Sequence, residues 1–120
     1  MRKTYELFSG QELVIAEKIQ QRRLQILVHS CIYYELNGST ISDKQWDTWA
    51  KELVNLQKQF PHIAERVVWH SNFVDFDAST GFNLPIKDDW VMQKARQISG
   101  IAVSKKLKSI KKVVKKGRLF

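Results

Sequence analysis

Between residues 33 and 47 the chain reads Tyr33-Tyr34-Glu35-Leu36-Asn37-Gly38-Ser39-Thr40-Ile41-Ser42-Asp43-Lys44-Gln45-Trp46-Asp47. Two tyrosines begin this stretch, and an aspartate, a tryptophan and a second aspartate fall at its other end. Positions 43, 46 and 47 fall on one face of a helix. If the tyrosines end one helix and Asp43 begins the next, a tight hairpin gathers all five at its tip. The product is a small pocket of aromatic faces and carboxylates. Such a pocket suits a flat, electron-poor or cationic ring that carries hydroxyls. Tyrosine or tryptophan stacks on the ring and favours a cation through its π-face. The carboxylates accept hydrogen bonds from an amide or from ribose hydroxyls.

The flanking sequence supplies the elements that would hold this arrangement. Ser9-Gly10-Gln11-Glu12 has the form of a capping box. Leu13, Ala16, Ile19, Leu24, Leu27, Val28, Cys31 and Tyr34 then recur at threes and fours, with one looser gap of five. This predicts a helix over about 10–36, ended by Asn37-Gly38. Ser42-Asp43-Lys44-Gln45 is a second capping box. Trp46, Trp49, Leu53, Leu56 and Phe60 follow as a clean amphipathic stripe that stops at Pro61. A short connection between two such helices predicts an antiparallel hairpin.

Beyond it, residues at about 66–83 are rich in β-branched and aromatic types. They read either as a small β-hairpin turning at Asp77–Gly81 or as an aromatic loop packed over the helices. Pro85 and Asp88-Asp89 open a third helix, with Trp90, Val91, Ala95, Ile98 and Ile101 expected on its apolar side. The fold class is therefore mostly α: a helical domain over 1–100 and a basic amphipathic helix over 101–120.

Charge is segregated. The 120 residues hold 20 basic and 12 acidic side chains, yet residues 1–89 are slightly acidic, while 90–120 carry ten basic residues and no acid. Val103, Leu107, Ile110 and Val114 form one face of the terminal segment. Lys105, Lys108, Lys111, Lys112, Lys115, Lys116 and Arg118 provide its charge. Such a patch attracts nucleic acid, an acidic protein face or an anionic membrane, or it is simply the solvated side of a packed helix. Lysines dominate, so any nucleic-acid contact is expected to be non-specific and salt-dependent. A membrane partner is not expected, because the apolar face has no Trp or Phe until Phe120. With one cysteine and no ligand spacing among His29, His62 and His70, no disulfide or structural metal is expected. The histidines read as ordinary surface or boundary residues. No membrane-spanning run or apolar leader is visible, which predicts a cytoplasmic protein.

The run Tyr-Tyr-x-Leu-x-x-x-x-Ile-Ser-Asp-x-x-(aromatic)-Asp, followed by Glu52-Leu53-x-x-Leu56 and Phe60-Pro61, resembles the N-terminal subdomain of NAD-dependent DNA ligases. The resemblance runs from about Ala16 to Ile63. It implies a helical module that recognises the nicotinamide mononucleotide half of NAD. By position, Tyr33 would stack on the nicotinamide and Tyr34 would lie beside the ribose phosphate. Asp43, Trp46 and Asp47 would contact the ring amide and ribose. Trp46 stands where the family usually has tyrosine, and Ser39 where it usually has proline.

The ligases also use a nucleophilic lysine in a Lys-x-Asp-Gly motif. None occurs here, since Lys87-Asp88-Asp89 does not fit it, and the chain is too short to add a nucleotidyltransferase domain. Covalent nucleotidyl transfer is thus not expected of this chain by itself. Three roles follow. The first is a non-catalytic interaction protein of phage type, for instance an inhibitor of a host NAD-consuming defence enzyme. The second is a module, or split-ligase subunit, that binds nicotinamide mononucleotide or NAD as a ligand and requires no cofactor. The third is a non-specific DNA- or RNA-binding accessory protein. The bland alternatives are core packing for Tyr33, Trp46 and Trp49, and helix capping for Asp43 and Asp47.

Overall fold

The computed structural model describes residues 8–100. The expected basic helix over 101–120, with Lys105, Lys108, Lys111, Lys112, Lys115, Lys116 and Arg118, lies outside the described residues, as does Ile101.

The first helix, α1, spans Gly10–Glu35. Its entry departs from the expected capping box. The Ser9 carbonyl accepts from the Glu12 and Leu13 amides at 2.8 and 3.2 Å, but the Ser9 hydroxyl faces the Glu12 carboxylate at 3.5 Å and caps no backbone N–H. The exit follows the sequence. Asn37 adopts the left-handed conformation at φ 55°, and the amides of Leu36 and Gly38 turn back onto the Ile32 carbonyl at 3.2 and 3.1 Å. Asparagine tolerates this region better than most side chains.

The second helix, α2, spans Asp43–Gln59. Here the cap forms: the Gln45 N–H donates to Ser42 Oγ at 3.0 Å, a contact worth about 1 kcal/mol. Pro61 then begins a one-turn helix, α3, over Pro61–Ala64. The pairing of α1 with α2 is antiparallel. Trp46 meets Ser30, Trp49 meets His29 and Glu52 meets Arg22, one number rising as the other falls.

The core is built on α1. Ala16, Ile19, Ile26, Leu27, Cys31 and Ile32 are fully buried against Ala50 and Leu53 of α2, Phe73, and Val91 and Ala95. Arg23 is buried with them. Its guanidinium donates to Gln57 Oε1 at 2.9 Å and to the Val67 and Val68 carbonyls at 2.9 and 3.1 Å, and lies over the Phe73 ring. This single cation joins α1, α2 and the 67–68 turn.

The aromatic segment is a loop, and the β-hairpin alternative is corrected. Among the described residues there is no strand. Residues 65–88 run as turns around a second one-turn helix, α4, over His70–Phe73, entered through Trp69 at φ 72°. The segment holds by side-chain burial and by the Gln57 amide donating to the Phe73 carbonyl at 3.0 Å. No ladder forms.

Helical backbone resumes over 89–100, α5, capped by Asp88, whose Oδ1 accepts from the Trp90 and Val91 amides. Val91 and Ala95 are buried as expected, but Trp90 is 43% exposed. The i, i+4 line through Val91 and Ala95 sets the buried face. Trp90, about 100° away, falls off its edge, where Lys94 covers the ring at 5.7 Å.

Candidate functional site: a cleft at the tip of the helical hairpin

The C-terminal turns of α1, the connection at 39–42, the first turn of α2 and the loop at 78–81 surround a cleft of about 620 Å³. Tyr33, Tyr34, Asp43, Trp46 and Asp47 all line it, so one cavity brings together the five residues singled out in the sequence. His29, Ser30 and Thr40 line it as well.

The aromatic residues divide by role. Tyr33 and Tyr34 are 58% and 40% exposed and meet edge to face at 4.9 Å; Tyr34 in turn meets Phe82 at 5.2 Å. They form an open rim. Trp46 is half-buried. Its indole N–H donates to Ser30 Oγ at 3.1 Å, and its ring abuts Phe76. With that N–H engaged, Trp46 offers a ligand only its ring. Of the contacts expected of it toward an amide or ribose, the indole contributes no donor. Trp49 lies outside the cleft, packed on the core and on the His29 ring at 5.8 Å.

The two carboxylates differ. Asp47 pairs with Lys51 one turn on, at 2.8 Å. Asp43 is exposed in the first turn of α2 and has no ion pair among the described residues. Both sit on the side of the cleft where Ser42 caps the helix.

His29 is a half-buried boundary residue in the cleft wall, its Nδ1 2.8 Å from Thr40 Oγ1. Burial pushes the imidazole below its usual value of 6.5, so the ring is neutral at pH 7. The contact with Thr40 ties the connection to α1. Cys31 is buried, its Sγ 3.8 Å from Met92 Sδ, and burial pushes its thiol up, which disfavours the reactive thiolate. Among the described residues no cluster of His, Cys, Asp or Glu is placed to hold a metal ion, and no helix is long and apolar enough to cross a membrane.

The loop at 76–82 is the part that sequence reasoning read only as a turn. Asp77 Oδ1 accepts from both the amide and the hydroxyl of Ser79, at 2.9 and 2.6 Å, which lowers the Asp77 pKa and fixes the turn. Ala78 takes φ 71° within it. Gly81 is buried against Ser30: a Cβ there would stand 2.7 Å from the Ser30 Cβ and collide with its Oγ. The sequence signal was the Gly-containing turn. Its partner, Ser30, lies too far away along the chain to be read from spacing.

With this geometry in view, the comparisons with known proteins are specific. Residues 12–66 match the family of the DNA ligase-like, N-terminal NAD+-binding domain. The chain is 43% identical over 53 residues to a DNA ligase of Bacteroides fragilis, covering 44% of this chain and 8% of that ligase. It is 38% identical over 50 residues to a DNA ligase of Endomicrobium trichonymphae, covering 42% of this chain and 7% of that ligase. The chain thus spans less than a tenth of the length of these relatives. No solved structure matches. Residues 12–66 are therefore similar to the N-terminal domain of NAD-dependent DNA ligases. All five cleft residues lie inside that region, and the loop at 76–82 lies outside it.

Proposed function

We propose that the cleft binds a nicotinamide nucleotide, either nicotinamide mononucleotide or the corresponding half of NAD, as a recognition module without covalent chemistry. The observation that carries this reading is the convergence of Tyr33, Tyr34, Asp43, Trp46 and Asp47 on one cavity, within the segment that matches the NAD+-binding domain. The cavity has the volume of a small-molecule site. The pyridinium ring is a flat cation, and exposed Tyr33 offers it a face; such contacts contribute about 0.5–2 kcal/mol. Asp43 and Asp47 supply acceptors for ribose or amide hydrogens. The chain carries no Lys-x-Asp-Gly sequence, so no residue of that kind attacks the bound nucleotide.

Calorimetric titration of the full chain with nicotinamide mononucleotide and with NAD tests this. Binding is expected, and its loss in Tyr33→Ala and Asp47→Ala. Absence of heat at millimolar ligand defeats the reading.

The lysine-rich end supports a separate role. Ten basic and no acidic residues over 90–120 favour non-specific contact with nucleic-acid phosphates. The same charge suits an acidic face on a partner protein, including an enzyme that uses or destroys NAD. No cleft residue speaks for that inhibitor role.

A further inference from the structure

The cleft has two halves of different origin. Helices α1 and α2, inside the ligase-like region, provide the aromatic and acidic residues. The loop at 76–82, outside that region, provides the opposite wall. We infer that this loop is part of the ligand site, with Thr80 a ligand-positioning and specificity-determining residue that acts through Tyr34. The inference rests on the nicotinamide-nucleotide reading above.

Four contacts fix the loop to the helices. Gly81 seats on Ser30 so closely that no side chain fits between them. Phe82 meets Tyr34 edge to face at 5.2 Å, and Phe76 abuts Trp46. The Thr80 hydroxyl lies 3.0 Å from the Tyr34 hydroxyl. The loop therefore touches the α1 rim and the α2 indole at once, and Tyr34, otherwise an exposed side chain, is held in one place.

The hydrogen-bond inventory says what this hold provides. A hydroxyl has one donor and two acceptor positions. Thr80 Oγ1 accepts from the Phe82 N–H at 3.1 Å and shares one hydrogen with Tyr34. Two hydroxyls bring two hydrogens, and one lies between them. The other is left over among the described residues, at the lip of the cleft. Carried by Tyr34 or by Thr80, it is a donor for an oxygen acceptor of the bound nucleotide. Neither Asp43 nor Asp47 can supply one when ionised. The loop thus adds a donor on the tyrosine side of the cleft, across from Lys44 and the hydroxyls of the 39–42 connection. It also closes a wall that the ligase-like segment alone leaves open.

The test measures nicotinamide mononucleotide binding to full-length wild type, Thr80→Val and Thr80→Ser, with thermal midpoints recorded in parallel. Thr80→Val keeps the shape and removes the hydroxyl. It is expected to weaken binding about tenfold, the size of one lost hydrogen bond, with only a small drop in the midpoint and the folded state intact at the temperature of the titration. Thr80→Ser restores the hydroxyl and is expected to bind within about twofold of wild type. If Thr80→Val binds as wild type does, the inference fails while the nucleotide reading stands. If Thr80→Ser binds as weakly as Thr80→Val, the hydroxyl is not the operative group and the inference fails again. If wild type itself binds nothing, the nucleotide reading fails and takes the inference with it.

Discussion

The indole N–H of Trp46 donates to the Ser30 hydroxyl at 3.1 Å, joining the first turn of α2 to the penultimate turn of α1. Ser30 is 2% exposed and is also the surface on which Gly81 sits. One buried hydroxyl thereby sets the hairpin tip and the loop that walls it.

Ser30→Ala removes the acceptor of the Trp46 N–H. The expected loss is about 1 kcal/mol, because the indole is only half-buried and water can replace the partner. Gly81→Ala is expected to cost more, about 1–3 kcal/mol, since either the loop or α1 must move to admit the Cβ. Urea denaturation of both variants checks the order. A Gly81→Ala protein as stable as wild type would show that the loop does not rest on Ser30.

Arg23 is the strongest single test of the fold. Its guanidinium reaches Gln57 and the carbonyls of Val67 and Val68 from a fully buried position. Arg23→Ala leaves those acceptors without it and opens a cavity. A loss of roughly 3 kcal/mol or more is expected in chemical denaturation. Arg23→Lys is expected to rescue little, because one ammonium cannot span the same acceptors.

His29 makes stability depend on pH. Burial holds its folded-state pKa below the ordinary 6.5. The unfolded chain therefore binds the proton first as pH falls, so stability rises with pH up to about 6.5 and levels off above it. The urea midpoint should fall between pH 7 and 5.5, and the fall should be shallower in His29→Gln. A wild type and variant with parallel pH profiles would contradict this.

The sequence lacks the nucleophilic lysine motif of the ligases, so incubation with NAD should leave the chain at its original mass. A gain equal to an adenylate, seen by mass spectrometry, would refute the non-covalent reading.

Much of this was readable from residue types. The Ser42 cap and the stripe from Trp46 to Phe60 define α2, and Asn37 ends α1, because these signals are local. What escaped depends on distant partners. Arg23 fills the gap of five left in the apolar stripe of α1, but an arginine reads as surface until three acceptors far along the chain are seen to surround it. The partners of His29 were hidden for the same reason: Thr40 and Trp49 approach it only after the hairpin closes. The aromatic segment has strand-like residues, yet its order comes from burial against α1 and α2, where no neighbouring strand is available to complete a ladder. The five cleft residues were visible because a hairpin tip places residues on either side of a short connection together. The opposing wall was not, since it returns from 76–82.

The most direct measurement is a residue-resolved NMR titration of the full chain with nicotinamide mononucleotide. The expected result is saturable shifts in the amides of Tyr33, Tyr34, Asp43 and Asp47, together with Ser79, Thr80 and Gly81. An unchanged spectrum, or shifts confined to the lysine-rich end, would contradict a nucleotide site at the hairpin tip.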